Sequence, residues 1–480
     1  MAVLENLQPK EVFGFFEEIC NIPHGSGNLQ QISDFLVKFA KDRNLEYIQD
    51  DELNVIIKKP GTKGYEDKEP IILQGHMDMV AVKDPGIDKD MTRDGLDVQT
   101  DGSFVWAKGT SLGGDDGIAV AYCLALLDSD TIPHPPLEVV ITTNEETGMD
   151  GARAIDLSSL KGKRLLNMDN EEEGVLLVSC AGGARFHSNL KVERQELSGT
   201  KYEVSIGGLL GGHSGEMIKK ERGNANFLLA RVLLKVKETV SIGVISMEGG
   251  VADNAIPSLS NAQIILPETE TEDNLKAALN KVCSEIQEEL AVKDPGFKID
   301  LKCEGNATEK VLDETSFKKA MGLIISLPNG VQANSASIEG LVETSLNLGI
   351  MHLTSEELQL EYSVRSSVEQ SKDMLLIKLR TITEAFGGYH STNSSYPGWA
   401  YKEDSALRKH MVEVYKELNG EEPKVVAIHA GVECGLFSEK IEGLDCVSIG
   451  PDMEAIHSTG ERLSVASTAK TWEFVKAILK

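Results

Sequence analysis

PIILQGHMD, residues 70–78, joins an apolar run to a histidine and an aspartate two positions apart. A run this apolar suits a strand covered on both faces. In extended backbone, positions i and i+2 share a side, so the Asp78 carboxylate can orient the His76 imidazole. An isolated pair of this kind is more often structural than metal-binding, but three further stretches change the reading. LEVVITTNEETG is a second buried strand, ending at Glu145 and Glu146, and KRLLNMDNEEEG a third, ending at Asp169. Asp115 follows a double glycine in SLGGDDG, which opens a helix running to about residue 129. One histidine and several carboxylates gathered at strand ends repel one another unless cations sit among them. Asp116, Glu171, Glu172 and Glu173 read instead as solvated acidic surface. Adjacent Glu145 and Glu146 would point oppositely in a strand, whereas a strand-to-loop bend lets both face one site.

Outward from this core, apolar spacings of three and four predict helices over 11–20 and 30–42, and NVIIKK at 54–59 predicts a strand. Strands alternating with helices give an α/β layer with functional groups at the carboxyl ends of strands. From about residue 184 the character changes. A smaller α/β unit is expected there, with a helix near 223–237, strands in TVSIGVISMEGG and AQIILPET, and further elements at 298–304, 312–325, 340–350 and 356–366. Two stretches of it are loosely similar, without an exact repeat. After the turn-rich GGYHSTNSSYPGW the chain returns to a helix near 404–418, strands VVAIHA and CVSIG, and a last helix from about Ser464. The expected division is a catalytic domain at 1–184 and 387–480, interrupted by an insert at 185–386.

Bulk properties exclude several functions. Lys and Arg total 48 against 76 for Asp and Glu, a net charge of −28 that repels nucleic acid. No segment approaches 18 consecutive apolar residues, so no membrane span is expected. MAVLENLQPKEVFGFFEEIC lacks a basic stretch followed by an apolar one, so no secretory signal is expected. Seven cysteines without CxxC spacing suit reduced thiols in a cytoplasmic protein. Cys180, Cys283 and Cys303 read as small buried side chains. GGDDG is no phosphate cradle, because it lacks a following GKS or GKT and its aspartates repel phosphate.

QGHMDMV (74–80), GTSLGGDDGIAVA (109–121), TTNEETG (142–148), NMDNEEEG (167–174) and PDMEAIHSTGE (451–461) occur in an order and spacing that resemble the M20 family of metallopeptidases. The likeness covers essentially the whole chain and is greatest for the aminoacyl-histidine dipeptidase branch. It implies an α/β fold in which a mixed-sheet zinc-peptidase catalytic domain is interrupted by an inserted α/β lid and dimerisation domain. It also implies two divalent ions. His76 and Asp169 would hold one, Glu146 and His457 the other, and Asp115 would bridge both. Mixed oxygen and nitrogen donors suit zinc, with cobalt or manganese as further occupants.

By the same resemblance Glu145 is the general base and Asp78 the partner of His76. His213, in GGHSG, matches a histidine that reaches the partner subunit's active site in a homodimer and stabilises the oxyanion. Asn254, in DNAIP, and Arg365, in YSVRSS, match groups that hold the substrate's terminal carboxylate, and Glu433, in IHAGVECG, an acidic position that meets an α-ammonium. The implied activity is hydrolysis of dipeptides, Xaa-His dipeptides among them. A broad di- or tripeptidase and an N-acyl amino acid amidohydrolase remain the alternatives. A metal-binding protein without chemistry fits poorly, since Glu145 and all five proposed ligands are intact.

Overall fold

A computed structural model describes residues 2–480. The chain forms two compact units, one comprising residues up to Ser179 with Tyr401–Ala427 and Glu433–Lys480, the other Cys180–Ala400 with Ile428–Val432.

The first unit is built on an eight-stranded sheet in the order Glu46–Gln49, Val55–Lys59, Leu137–Thr142, Ile71–His76, Arg164–Asn167, Asp445–Ser448, Val175–Cys180, Lys424–Ile428. Its four central strands are parallel, from Leu137–Thr142 across to Asp445–Ser448. Every residue of Ile71–His76 and of Leu137–Thr142 is buried, which is why both read as largely apolar runs without alternation. The register levels their ends: His76 stands opposite Thr142 and Gln74 opposite Asn167. Parallel strands in level register deliver whatever follows them to one edge of the sheet, and four of the site-bearing stretches follow them.

Helix Gly114–Asp128 is buried from its first residue to Leu127. It packs on strand Ile71–His76 and on helix Lys10–Cys20, which presents Phe13 and Phe16. Gly75 is required by that packing: a Cβ there would lie 2.6 Å from Asp116 Oδ2 and 2.7 Å from the Ala119 Cβ. The expected helices at 11–20 and 30–42 are Lys10–Cys20 and Gln30–Asp42, and the last helix is Val465–Ile478, capped by Ser464. Three details differ from expectation. The strand LEVVIT stops at Thr142, and Asn144 takes a left-handed conformation that starts a helical turn, Glu145–Gly148. Asp116 is fully buried rather than solvated, because its Oδ2 accepts the His76 backbone N–H at 3.1 Å. Cys180 is buried, but Cys283 is half-buried and Cys303 exposed; Cys303 lies on an edge strand.

The second unit carries a nine-stranded sheet. Its main order is Lys298–Leu312, Arg194–Gly207, Ser260–Pro267, Gly243–Gly249, Val342–Leu353, Glu357–Ser366, Gly182–Lys191, Tyr389–Tyr396. That order is symmetric about its middle. Along the chain, strand Arg194–Gly207, helix Ala225–Lys237, strands Gly243–Gly249 and Ser260–Pro267, helix Glu272–Leu290 and strand Lys298–Leu312 form one β-α-β-β-α-β unit. Strand Gly182–Lys191, helix Glu314–Ser326, strands Val342–Leu353 and Glu357–Ser366, helix Glu369–Ala385 and strand Tyr389–Tyr396 form a second. The first copy is inserted after the opening strand of the second. The halves meet where Glu248 and Gly249 pair with His352 and Met351. Because Tyr389–Tyr396 pairs with Gly182–Lys191, the sheet continues past residue 386, where the sequence reading closes the insert. Among the described residues no helix is long and apolar enough to cross a membrane.

Candidate metal centre

Charged residues of the first unit lie at or just beyond the ends of its parallel strands. His76 is the last residue of its strand. Its Nδ1 faces two acceptors, the Asp78 main-chain oxygen at 3.0 Å and Asp78 Oδ1 at 3.5 Å. Nδ1 therefore carries the hydrogen, and Nε2 points its lone pair the other way. Asp78 in turn fixes the next strand end. Its Oδ1 accepts the Glu145 N–H at 3.1 Å, and its Oδ2 accepts the Glu146 N–H at 3.4 Å and the Ser26 hydroxyl at 2.8 Å. One carboxylate thus aligns a histidine and two glutamates. The helical turn at Glu145 solves the geometry that a strand would have forbidden, since successive helical residues do not face opposite ways.

Asp115 lies at the centre. Its Oδ1 is 3.1 Å from His76 Nε2, and its Oδ2 is 3.1 Å from His457 Nε2. Asp169 Oδ1 approaches His76 Nε2 at 3.6 Å, and Glu146 Oε1 approaches His457 Nε2 at 3.0 Å. Two sets of donors therefore share one carboxylate. The same region groups His76 with Asp116 and Asp169, and His76 with Asp115 and Glu146, as sets with ligand atoms within 4.8 Å of one another.

The electrostatics describe a site short of positive charge. Burial pushes the Glu145 and Asp116 carboxyls well above the usual range, with the Asp169 charge adding to both. Burial also raises Asp169 to about 6 and Glu433 to about 7. For Asp115 burial acts upward too, but hydrogen bonds to His457 and His76 outweigh it and hold the group below the usual range. Contacts with Asp115 and Glu146 raise His457 to about 10. Divalent cations fit this arrangement. Two donors each about 2.1 Å from one ion stand roughly 3.4 Å apart at tetrahedral angles, close to the donor separations found. Glu146 Oε1 is buried with no hydrogen-bond partner, although an imidazole nitrogen is nearby, as expected of atoms aimed at a common point. Three carboxylates, Asp115, Glu146 and Asp169, offset most of the charge of two such ions.

Glu433 is fully buried behind the strand ends. Its Oε2 accepts from Gln74 Nε2 at 2.5 Å and Thr142 Oγ1 at 2.7 Å, while Oε1 has no partner. Sequence reasoning passed over Glu461, inside the PDMEAIHSTGE stretch, whose carboxylate binds the backbone that leads into Asp115.

The second unit gathers its own cluster. His213 pairs with Ala255 in a two-residue ladder, and the Ser214 N–H donates to the Asn254 oxygen at 2.8 Å. The Glu216 N–H donates to His213 Nδ1 at 3.4 Å, which leaves the hydrogen on Nε2. Arg365, directly opposite Ser345 in the sheet, is 8% exposed, bonds the Tyr396 hydroxyl at 3.2 Å through Nη1, and has no partner at Nε. Among the described residues it forms no ion pair. His429 bonds Ser345 Oγ at 2.7 Å, and burial aided by the Arg365 charge lowers it to about 3. Burial and Arg365 lower His213 as well. A buried guanidinium with no carboxylate among the described residues, beside neutral imidazoles, has the chemistry to pair with an anion. His429, Ser345 and Tyr396 were not singled out in the sequence; the histidine sits in IHAGVECG beside the glutamate that was.

Comparison with known proteins agrees with this geometry. The pattern of peptidase family M20/M25/M40 matches residues 72–480. The cytosol non-specific dipeptidase of Escherichia coli strain K12 is 35% identical over 482 residues, covering 100% of this chain and 99% of that protein. The crystal structure of aminoacylhistidine dipeptidase from Vibrio alginolyticus superposes with a TM-score of 0.94 at 33% identity, covering 99% of this chain and 97% of that one. Aminopeptidase PepT from Bacillus cereus, at 17% identity and a TM-score of 0.56 with 98% of each chain covered, shares the fold. The chain belongs to the M20 peptidase family and is a metal-dependent peptidase with a dinuclear metal site.

Sharing one carboxylate has a measurable consequence. Asp115→Ala should lose both ions together, whereas His457→Ala should weaken one far more than the other. Metal analysis of washed protein checks this; an Asp115→Ala protein that retained one ion at full affinity would show that the carboxylate is not shared.

Proposed function

We propose that this M20 peptidase is a dipeptidase acting on unblocked dipeptides, Xaa-His among them, with two zinc ions. His76 and Asp169 would hold one ion, Glu146 and His457 the other, and Asp115 would bridge them. The observation that carries the two-metal reading is Asp115, with one carboxylate oxygen on each imidazole. Bound there, the ions polarise the scissile carbonyl and acidify a water.

The chain's own residues do the rest. The Glu145 carboxylate takes the proton of the attacking water and returns it to the departing amine nitrogen. Burial raises its affinity for a proton, which suits a group that must take one from water. Asp78 keeps His76 in the tautomer that ligates and holds the Glu145 backbone in place. His213, neutral with its hydrogen on Nε2, donates to the oxyanion. Arg365 and Asn254 hold the terminal carboxylate of the substrate, and the unpartnered Glu433 Oε1 is left as an acceptor for its ammonium. The uncompensated charge at Arg365 favours a substrate with a free carboxylate, a property that suits a dipeptidase better than an endopeptidase.

A second reading differs in breadth alone. The relative from E. coli is called non-specific, which favours a wide range of dipeptides over a preference for carboxy-terminal histidine. That name also supports a cytosolic location, as does the free state of all seven cysteines. A panel of dipeptides, their carboxy-terminal amides and N-acetyl amino acids, assayed on zinc-loaded protein, decides between the readings. Free dipeptides should be cleaved and their amides at least about 10-fold more slowly, as loss of a charge-paired contact requires. Preference for N-acetyl amino acids would reassign the enzyme as an amidohydrolase.

The proposal includes a homodimer in which His213 serves the partner subunit. One feature favours the opposite arrangement, service within the chain: the two halves of the second unit already pair their inner strands with each other, leaving that edge no need of a partner. Mixing Glu145→Gln with His213→Ala tests both. Each variant alone should fall in kcat by at least about 100-fold with metal retained. After subunit exchange, recovery of activity marks donation across an interface. Continued inactivity in a mixture containing hybrid dimers, or a monomeric enzyme, marks donation within one chain.

A further inference from the structure

Glu461 lies four residues beyond His457 and is 3% exposed. Both oxygens of its carboxylate are spent on backbone N–H groups. Oε2 accepts from Leu112 at 2.7 Å and Gly113 at 3.1 Å, and Oε1 from Gly114 at 2.8 Å and, more weakly, Asp115 at 3.5 Å. The N–H groups of Gly113, Gly114 and Asp115 are donors that the start of helix Gly114–Asp128 leaves unpaired. The residue at the helix cap, Gly113, has φ +70° and no side chain to supply an acceptor. Packing closes round the same peptide groups: a Cβ on Gly114 would stand 3.2 Å from Met453 Sδ and 3.3 Å from Glu461 Oε1.

Asp115 is thereby held at both ends by one loop. His457, itself in the left-handed region at φ +58°, touches its Oδ2, and Glu461 holds the peptide groups that lead into it. Asp115 departs from helical backbone, with φ −84° and ψ 104°, so the helix alone does not fix its direction. We propose that Glu461 is a positioning residue for Asp115, setting the backbone from which the shared carboxylate reaches both metal sites. It is no ligand, since neither oxygen is free. The proposal rests on the reading of Asp115 as the bridge, and it yields a signature that helix capping alone does not: both ions should be weakened together, through a residue that touches neither.

The test is titration of metal-free Glu461→Ala and Glu461→Gln with Zn2+ against a chromophoric chelator, beside wild type and His457→Ala. Thermal unfolding of each metal-free protein is followed in parallel. Glu461→Ala should lose affinity at both sites, each by about 10- to 100-fold, the usual effect of removing a group that orients a ligand. Glu461→Gln, which keeps one acceptor oxygen, should fall between it and wild type at both sites. His457→Ala should weaken one site selectively. Should Glu461→Ala fail to fold, Glu461→Gln carries the test with the same expectation of a joint loss. Affinities within twofold of wild type, or a loss confined to one ion, would overturn the proposal while leaving the two-metal reading intact. A wild type that binds one zinc ion only would overturn that reading, and this proposal with it.

Discussion

Negative charge packed at the ends of parallel strands is the constraint from which the rest of the first unit follows. Asp115, Asp116, Glu145, Glu146, Asp169 and Glu433 are drawn into a small, largely buried region with two imidazoles. Left alone, such carboxyls hold protons tightly, as the raised positions of Asp116, Asp169 and Glu145 express. Protein interiors tolerate that crowding when cations neutralise it. The fold supplies everything else the cations need. Level register brings the strand ends together, a left-handed Asn144 turns the Glu145–Glu146 pair inward, and Asp78 locks three neighbours with one side chain.

The second unit solves a different problem by duplication. Each β-α-β-β-α-β half presents an inner edge strand, and pairing the two halves satisfies those edges within one chain. The same sheet sets Ser345 opposite Arg365, so its strands also build the cationic cluster. Among the described residues Arg365 is buried without a carboxylate partner, an arrangement unfavourable for stability alone.

Much of this was legible in the sequence, for identifiable reasons. The buried parallel strands are mostly apolar, so they announce themselves, and His76, Asp78, Glu145, Glu146 and Asp169 lie at or just beyond their ends. That Asp115 is the shared group was implied by the family resemblance, and the geometry puts it between the two histidines. Asp116 was misread because its burial depends on an N–H of a different strand, which no local pattern reveals. Helix Glu272–Leu290 carries a readable period in Leu275, Leu279, Val282 and Ile286 that went unused, whereas Glu369–Ala385 buries fewer apolar positions and even Lys372. The duplication was hidden because one copy interrupts the other, so no stretch of chain holds two repeats in tandem. Glu461 is likewise invisible locally: its partners lie about 350 residues earlier in the chain.

On the proposed reading one carboxylate, that of Asp115, organises two metal ions. Anomalous scattering from crystals of the zinc-loaded protein, measured at the zinc edge, tests it directly. Two peaks should flank the Asp115 carboxylate, roughly 3.5–4 Å apart, one beside His76 and Asp169 and the other beside His457 and Glu146. A single peak, or a second ion bound away from Asp115, would contradict the account.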